Sequence, residues 1–227
     1  MKTAAIILAR GGSKGVPKKN IIDFCGKPLL SWTIEQCLDS GIDSSNVFVS
    51  SDSQEILDVA EEYGVGSILR TQEVSGDSAT SEISWIYSID YLKSKGLEYD
   101  WIFAPQVTSP IRESSDIVNA ISIARQGDYD SLFSAHKTFH CSLWENTSEG
   151  LSSIGYDWKN RKRRQDSVSQ YIENGSFYMF KPDYLRKYNN RMYGKIGVVE
   201  MEEWKSFEVD TFEDLKLCSV IMKNYLL

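Results

Sequence analysis

Runs of apolar residues alternate with helical repeats along the first 135 positions of the chain. The run AAIILA at residues 4–9 has no polar interruption, which is typical of a strand buried on both faces. Glycines such as Gly41 and Gly64 end two of the helical repeats. Further strands are predicted at 47–51, 67–70, 101–104, 131–135, 175–180 and 197–201, and helices near 29–38, 56–63, 83–92 and 117–124. This order predicts an α/β fold with a doubly wound, mostly parallel sheet, which binds ligands at the carboxyl ends of its strands.

The alternation stops between about residues 137 and 170. This segment has little apolar periodicity and contains the basic run KNRKRRQD at 159–166 beside several aromatic residues. Such a run most often marks a solvated face, and we interpret the segment as a protruding insertion in the form of a β-ribbon. Because neither a repeat nor a linker divides the chain, residues 1–227 are predicted to form one domain that carries this arm.

Two predicted helices begin with residues that favour helix starts. Ser114 and Ser115 precede the apolar stripe that begins at Ile117, and both residue types cap helices well. Before the last helix, Asp210 stands three residues ahead of Glu213, which is the spacing of a capping box. These positions are the expected first turns of the two helices.

Composition restricts the function classes. With 41% hydrophobic and 25% charged residues the chain is ordinary for a globular protein, and its net charge of −7 disfavours a nucleic-acid coat. No apolar run approaches the roughly 18 residues that span a bilayer, and the apolar N-terminal part is too short for a good signal peptide. The widely spaced cysteines form no CxxC pair and predict buried free thiols in a cytoplasmic protein. They are Cys25, Cys37, Cys141 and Cys218.

The loop in IILARGGSKGVPKKN, residues 6–20, combines backbone freedom with positive charge directly after the first strand. Glycines allow backbone N–H groups to converge on an anion, and cations bind phosphate oxygens. The spacing matches neither a Walker A loop nor GxGxxG, and a solvated turn is the alternative. The glycines are Gly11, Gly12 and Gly15, and the cations are Arg10, Lys14, Lys18 and Lys19.

Three other places carry candidate chemistry. In FEVD at 207–210, an extended backbone would place Glu208 and Asp210 on one face, where two carboxylates can bind a divalent cation. The amide of Gln106, after a predicted strand, suits the edge of a base. Arg70 also ends a strand and precedes the hydroxyl-rich segment 75–81. The alternatives are a solvated edge strand, a simple connection and a capping region.

Taken in order, six motifs resemble the CMP-sialic acid synthetases, or acylneuraminate cytidylyltransferases, and their relatives that activate legionaminic, pseudaminic and other nonulosonic acids. The likeness runs from residue 4 to about 217, and the ending Lys19–Asn20–Ile21 favours this branch over the CMP-Kdo synthetases. It implies a Rossmann-like nucleotidyltransferase fold. The motifs are ILARGGSKGVPKKNI, DSATS, PQVTSPIR, RRQD, ENGSFY and EVDTFEDL.

The resemblance implies that CTP and a nine-carbon 2-keto-3-deoxy sugar acid give a CMP-sugar and pyrophosphate, with Mg²⁺ as cofactor. Mn²⁺ is a substitute on its ligand chemistry, and the preferred metal stays open. The resemblance also implies catalytic roles for Arg10, Lys19 and Asp210. The implied nucleotide contacts are Arg10, Gly11, Gly12, Ser13, Lys19, Asn20, Arg70, Ser81 and Gln106, with Lys14 as a further phosphate contact. The implied sugar contacts are Gln106, Arg164, Gln165, Asn174, Gly175 and Tyr178, and the implied metal ligands are Glu208 and Asp210.

The chain departs from the family pattern at two positions. Glu208 stands where the family often has Asp, and Ile172 stands where some bacterial members carry an arginine that helps to hold the sugar carboxylate. Carboxylate binding must then use another group, such as Arg164 or a backbone N–H. The arm at 137–170 is expected to reach a second subunit, which implies a homodimer.

Two other functions remain open at this stage. A glycosyltransferase that uses a nucleotide-sugar also has an acidic metal motif, although usually in mid-chain rather than just before the last helix. A non-catalytic CTP sensor would bind the nucleotide without needing Glu208 and Asp210. Neither the particular sugar acid nor a general base follows from the sequence.

Overall fold

A computed structural model of the chain describes residues 1–13, 15–76, 79–138, 143–166 and 169–227, with the backbone alone at Arg164. Three predictions therefore lie outside the described part of the chain: the phosphate contact of Lys14, the thiol of Cys141 and the side-chain role of Arg164.

Eleven strands and six α-helices are joined by short turns and 3-10 helices in this described part. The strands are β1 (Thr3–Leu8), β2 (Asp23–Phe24), β3 (Lys27–Pro28), β4 (Val47–Ser51), β5 (Gly66–Leu69), β6 (Trp101–Pro105), β7 (Ser131–Thr138), β8 (Leu143–Thr147), β9 (Gly150–Ile154), β10 (Gln170–Phe180) and β11 (Ile196–Glu200). The helices are α1 (Leu29–Asp39), α2 (Gln54–Glu62), α3 (Ser81–Ser94), α4 (Ser114–Arg125), α5 (Pro182–Tyr188) and α6 (Phe212–Tyr225).

Seven strands form the central sheet, in the order β11-β7-β10-β6-β1-β4-β5. Strand β10 runs antiparallel to both of its neighbours, and the other pairs are parallel. The prediction of a doubly wound, mostly parallel sheet is confirmed. From β1 the chain first builds outward through β4 and β5 and then returns to β6 on the other side of β1. This reversal leaves a crevice at the carboxyl ends of β1 and β6.

The unbroken apolar run of β1 supplies both faces of the sheet. Ala5 and Ile7 pack with α1, α2, α4 and α6 on one face, whereas Ala4 and Ile6 pack with α3 and α5 on the other. All four side chains are fully buried. Successive side chains of a strand point to opposite faces, so a strand covered by helices on both sides is apolar at every position.

Neither α4 nor α6 is capped by the expected residue. Helix α4 is capped by Glu113, whose backbone N–H donates to Asp116 Oδ2 at 2.9 Å, and not by a serine. Helix α6 is capped by Thr211, whose hydroxyl accepts from Asp214 N at 3.2 Å. Asp210 stays in the preceding loop because its backbone N–H donates to Asp214 Oδ2 at 3.1 Å.

The segment between β7 and β10 contains a separate two-stranded antiparallel hairpin, β8–β9, with Leu143 opposite Ile154. It makes no ladder with the central sheet among the described residues, and its role in assembly stays a prediction.

Of the cysteines, Cys37 and Cys218 are buried free thiols as expected. Cys25 is a free thiol too, but it is only half-buried because it forms the β2–β3 turn with a φ of 55°. Within the described residues, no helix is long and apolar enough to cross a membrane.

Candidate active site

A cleft of about 590 Å³ lies at the carboxyl ends of β1 and β6. The predicted site residues that line it are Arg10, Ser13, Lys19, Asn20, Arg70, Ser81, Gln106 and Asp210. Residues for which no site role was predicted also line it, and these include Leu8, Ser75, Ser84 and Thr108. A second cavity of about 630 Å³ lies at the amino end of β6 around Trp101 and Lys181. It contains none of the predicted residues, so the first cleft is the candidate active site.

The loop after β1 is anchored on both sides of the cleft. Gly11 donates its backbone N–H to Asp52 Oδ1 at 2.9 Å, and Ser13 N donates to the Gly11 carbonyl at 3.2 Å. On the other side, a Cβ added to Gly15 would overlap the carbonyl oxygen of Asp210. Glycine at position 15 therefore allows the loop to touch the acidic segment, whereas the N–H of Gly11 holds the loop to the end of β4.

Two adjacent lysines at the end of this loop have side chains that point to different partners. Lys18 has a left-handed backbone, with φ of 52°, and its Nζ pairs with Glu55 at 2.7 Å on the surface. Lys19 opens the following 3-10 turn, and its Nζ lies 2.9 Å from Asp210 Oδ1. Asn20 is buried and donates from Nδ2 to the Arg10 carbonyl at 2.9 Å. The geometry thus directs Lys19 into the cleft and Lys18 away from it.

Arg70 brings a buried cation to the cleft wall. It is 6% exposed, and its Nε has no hydrogen-bond acceptor among the described residues. Burial lowers the pKa of its guanidinium, which the nearby Asp52 partly offsets. A buried donor without a partner is costly, so this nitrogen is suited to an acceptor on a ligand.

Gln106 continues β6 and is held by its backbone. Its N–H donates to the Ser176 carbonyl at 2.9 Å, and it forms an isolated bridge with Leu8 of β1. Its side chain is half-buried in the cleft lining. Ser81 is the first residue of α3, so both residues stand at the crevice where the strand order reverses.

The acidic segment is a loop and not the extended edge strand that its pattern allowed. Val209 is buried and donates its N–H to the Thr108 carbonyl at 2.7 Å, whereas Phe207 is 42% exposed, so these two residues do not share a buried face. Glu208 is half-buried, and the pKa of its carboxyl is raised by burial and then by the charge of Asp210, with Lys19 opposing.

These two acids fit a hard divalent cation. Neighbouring like charges repel one another, and a cation bound between them offsets that repulsion. Carboxylate oxygens are the ligands that Mg²⁺ prefers. The described residues contain no group of three or more Asp, Glu, His or Cys that could hold a metal ion. Phosphate and water oxygens would therefore complete the coordination.

On the β10 side, the Asn174–Gly175 pair forms a bulge rather than a turn. The register of β10 against β7 shifts between Glu173 and Tyr178, and Gly175 has a φ of 66°. A Cβ at Gly175 would overlap the carboxylate of Glu208, so the bulge and the acidic segment are in close contact. The Asn174 side chain is buried and accepts from Ser176 N at 3.2 Å, which places its amide inside the protein and not in the cleft.

Two further predicted sugar contacts lie in different surroundings. Tyr178 is 7% exposed and donates its hydroxyl to Glu173. The pKa of this phenol is raised by burial and then by Glu173, so it stays a neutral donor. Gln165 is exposed on the arm, in a 3-10 helix, and does not line the cleft of its own chain.

Arg112 is a buried residue that supports the β10 bulge beside the cleft. The sequence did not indicate it as a functional residue. It is 1% exposed, and its Nη1 donates to the Ser176 carbonyl at 2.7 Å and to Ser176 Oγ at 3.1 Å. Burial lowers the pKa of its guanidinium to about 10. The same carbonyl accepts from Gln106 N, so Arg112 supports the residue that joins the bulge to the cleft wall.

Comparisons with known proteins identify the family of the chain. A family model described as Cytidylyltransferase matches residues 4–225. N-acylneuraminate cytidylyltransferase A of Danio rerio is 35% identical over 211 residues, which cover 91% of the chain and 47% of that relative. Pseudaminic acid cytidylyltransferase of Campylobacter jejuni is 32% identical over 98% of the chain and 97% of that relative. The chain therefore spans about half of the first relative and nearly all of the second.

Among solved structures, a CMP:2-keto-3-deoxy-manno-octonic acid synthetase complexed with CTP has a TM-score of 0.72 and 16% identity, with all of both chains covered. At this identity the similarity establishes the fold.

Proposed function

The chain belongs to the cytidylyltransferase family, and from this premise we propose that it transfers CMP from CTP to the anomeric hydroxyl of a nine-carbon 2-keto-3-deoxy sugar acid. It is a nucleotidyltransferase enzyme. The observation that carries the proposal is the convergence of Arg10, Lys19, Arg70 and Gln106 on one cleft, with Asp210 in its lining. The names of the relatives, an N-acylneuraminate and a pseudaminic acid cytidylyltransferase, support an acceptor of this class. The proposed acceptor is N-acetylneuraminic acid or a close relative such as legionaminic, deaminated neuraminic or pseudaminic acid.

The two ends of the cleft suit the two ends of CTP. The glycine-rich loop with Arg10, Ser13 and Lys19 would bind the triphosphate through charge-assisted hydrogen bonds. The nucleoside would lie against Arg70, whose unpaired Nε can donate to an oxygen of the base or ribose. Asn20, Ser81 and Gln106 complete this part. A net charge of −7 makes such a local cationic site necessary for a polyanion.

In the reaction, the C2 hydroxyl oxygen of the sugar acid attacks the α-phosphorus and forms the new P–O bond. The bond from that phosphorus to the bridging oxygen breaks, and pyrophosphate leaves with the electron pair while the hydroxyl proton passes to water. Arg10 and Lys19 would stabilise the charge that develops on the phosphate oxygens. Positioning and electrostatics are therefore the main contributions of this chain.

We assign Mg²⁺ to the carboxylates of Glu208 and Asp210, with Mn²⁺ as a substitute. When bound, the cation offsets charge on the phosphates and on the attacking and leaving oxygens. Lys19 would hold Asp210 toward the phosphates, since its Nζ lies 2.9 Å from Asp210 Oδ1. Gly175 would let Glu208 approach the bulge without steric overlap.

The arm at 137–170 would form a homodimer. Its described part exposes Leu143, Trp144 and Leu151 at 55%, 43% and 65%, and an apolar surface of this kind favours association. In the dimer, Arg164 and Gln165 would serve the sugar site of the neighbouring subunit. The three described cysteines are free thiols, which supports a place in the reducing cytoplasm.

The decisive experiment measures pyrophosphate release from CTP and Mg²⁺ with a panel of 2-keto-3-deoxy sugar acids. Wild type is compared with Asp210→Ala, and CTP binding is followed separately. Release with one acid, lost in the variant, supports the proposed function and identifies the acceptor. A folded wild type that binds CTP but releases no pyrophosphate would refute it, in favour of a sensor or of a glycosyltransferase that uses a nucleotide-sugar.

A further inference from the structure

Arg191 is held in a fixed orientation in the segment that joins α5 to β11. Its Nε donates to Glu82 Oε1 at 2.7 Å, with 23% of the Arg191 side chain and 14% of the Glu82 side chain exposed. The guanidinium carbon lies 4.6 Å from the ring centroid of Tyr178 and 4.9 Å from that of Trp85. A planar guanidinium between one carboxylate and two aromatic rings has little freedom to rotate.

The backbone that presents Arg191 is also restrained. Tyr193 N donates to Ser131 Oγ at 3.1 Å, and that hydroxyl donates to the Tyr193 carbonyl at 3.0 Å. The rings of Tyr188 and Tyr193 stack with centroids 3.5 Å apart. The side chain is therefore preorganised before any ligand binds.

Arg191 does not line the nucleotide cleft itself, but its contact partners Glu82 and Tyr178 stand near residues that do. Its partner Glu82 directly follows Ser81, which lines the cleft at the start of α3. Its other neighbour, Tyr178, pairs in register with Ala104 of β6. Gln106 follows Ala104 by two positions and is therefore on the same face of the sheet as Tyr178.

The surroundings of Arg191 are otherwise acidic. Glu173 accepts the Tyr178 hydroxyl, and the bulge beside it touches Glu208. An anionic sugar that entered this part of the cleft would meet carboxylates unless a cation were present. Arg112 cannot supply this cation, because it is buried and donates to Ser176 and Thr33 inside the protein.

We propose that Arg191 binds the C1 carboxylate of the acceptor sugar acid, with Glu82 and Tyr178 as its positioning residues. This inference rests on the proposed function. Glu82 engages Nε, and the two terminal nitrogens have no hydrogen-bond acceptor among the described residues. Together they form the fork that donates two parallel hydrogen bonds to a carboxylate.

The test compares the accepted sugar acid with its neutral C1 carboxamide. Wild type, Arg191→Gln and Arg191→Lys are assayed for pyrophosphate release, with KM and kcat determined for each acceptor and KM for CTP. Arg186→Gln is the matched control, since Arg186 pairs with Asp90 and lines the cavity at the other end of β6. The shift in Tm on adding CTP reports that each variant is folded.

Arg191→Gln is expected to raise KM for the acid by about tenfold or more, with KM for CTP unchanged. Its preference for the acid over the carboxamide should fall by at least about tenfold, while Arg186→Gln keeps the wild-type preference. An unchanged preference in folded Arg191→Gln overturns the inference and leaves the proposed function standing. If that variant does not fold, Arg191→Lys decides, because it keeps the charge without the fork, and a wild-type KM would then refute the inference. A wild type inactive with every acid refutes the proposed function as well.

Discussion

Lys19 Nζ lies 2.9 Å from Asp210 Oδ1, although 191 positions of sequence separate the two residues. The pair closes the cleft between the loop that follows β1 and the segment that precedes α6. Its acid is 69% exposed, and exposed pairs contribute little to stability, roughly 0–1 kcal/mol. We therefore expect the pair to matter for the reaction rather than for stability.

Lys19→Gln is expected to lower kcat/KM for pyrophosphate release by about 10²–10³-fold, because it removes a cation from the phosphates. The urea midpoint should change little. Lys18→Gln is the matched control, since Lys18 pairs with Glu55 on the surface. Equal losses in the two variants would show that loop charge in general matters rather than the position of Lys19.

Gly175→Ala is expected to abolish most of the activity, since its Cβ would overlap the Glu208 carboxylate and its φ is 66°. The strained backbone alone should cost about 1 kcal/mol or more. Gly96→Ala separates the two effects, because Gly96 has a φ of 78° with nothing within 4 Å of an added Cβ. Urea unfolding should place the variants close together, and the activity assay should separate them. Full activity in Gly175→Ala would contradict the contact.

Arg112→Met is expected to destabilise the fold by about 1–3 kcal/mol, because it leaves the Ser176 hydroxyl and Thr33 Oγ1 without their buried donor. KM for CTP should also rise, since Ser176, whose carbonyl also accepts from Gln106 N, loses its buried donor. Arg125→Met, at the exposed end of α4, should stay within about 0.5 kcal/mol of wild type. Urea titrations of both proteins measure the difference, and similar midpoints would exclude an anchoring role for Arg112.

Asp214→Asn is expected to weaken the dependence of stability on acid pH. Hydrogen bonds from the Thr211 side chain, then from the backbone of Thr211 and Asp210, lower the pKa of Asp214 below its ordinary value of 3.8. A lowered folded-state pKa gives stabilisation that is present above pH 3.8 and is lost as the pH falls through the folded pKa. Urea midpoints measured from pH 7 downward should fall less steeply in the variant. Thr211→Ala should cost about 1 kcal/mol, and Thr211→Ser should restore it.

Local periodicity was sufficient to predict most of the sheet. The strand 47–51 has the predicted bounds, and the others differ at their ends, most of all β10, whose predicted start at residue 175 is at Gln170. The first half of β10 is exposed and irregular around the bulge, so alternation could not reveal it. The extent of β10 is determined instead by its pairing with β7 and β6.

Interactions between distant residues were beyond the reach of the sequence pattern. Arginine is usually exposed, so nothing local indicated that Arg112 is buried under Ser176. Arg191 follows a run of polar residues, and its orientation depends on a hydrogen bond to Glu82, which is 109 positions away. The cap of α6 was predicted one residue too early for another reason. Asp210 and Thr211 each stand three residues before an acid, and only the geometry of the loop decides which of the two caps the helix.

Strand β10 has a consequence for biosynthesis, because it lies between β6 and β7 but is translated after both. Until residues 170–180 leave the ribosome, the backbone edges of β6 and β7 have no partner in the middle of the sheet. Unpaired edges of apolar strands are the places where nascent chains aggregate. Synthesis that pauses before residue 170 should therefore make the nascent chain dependent on chaperones, and that dependence should end once β10 has emerged.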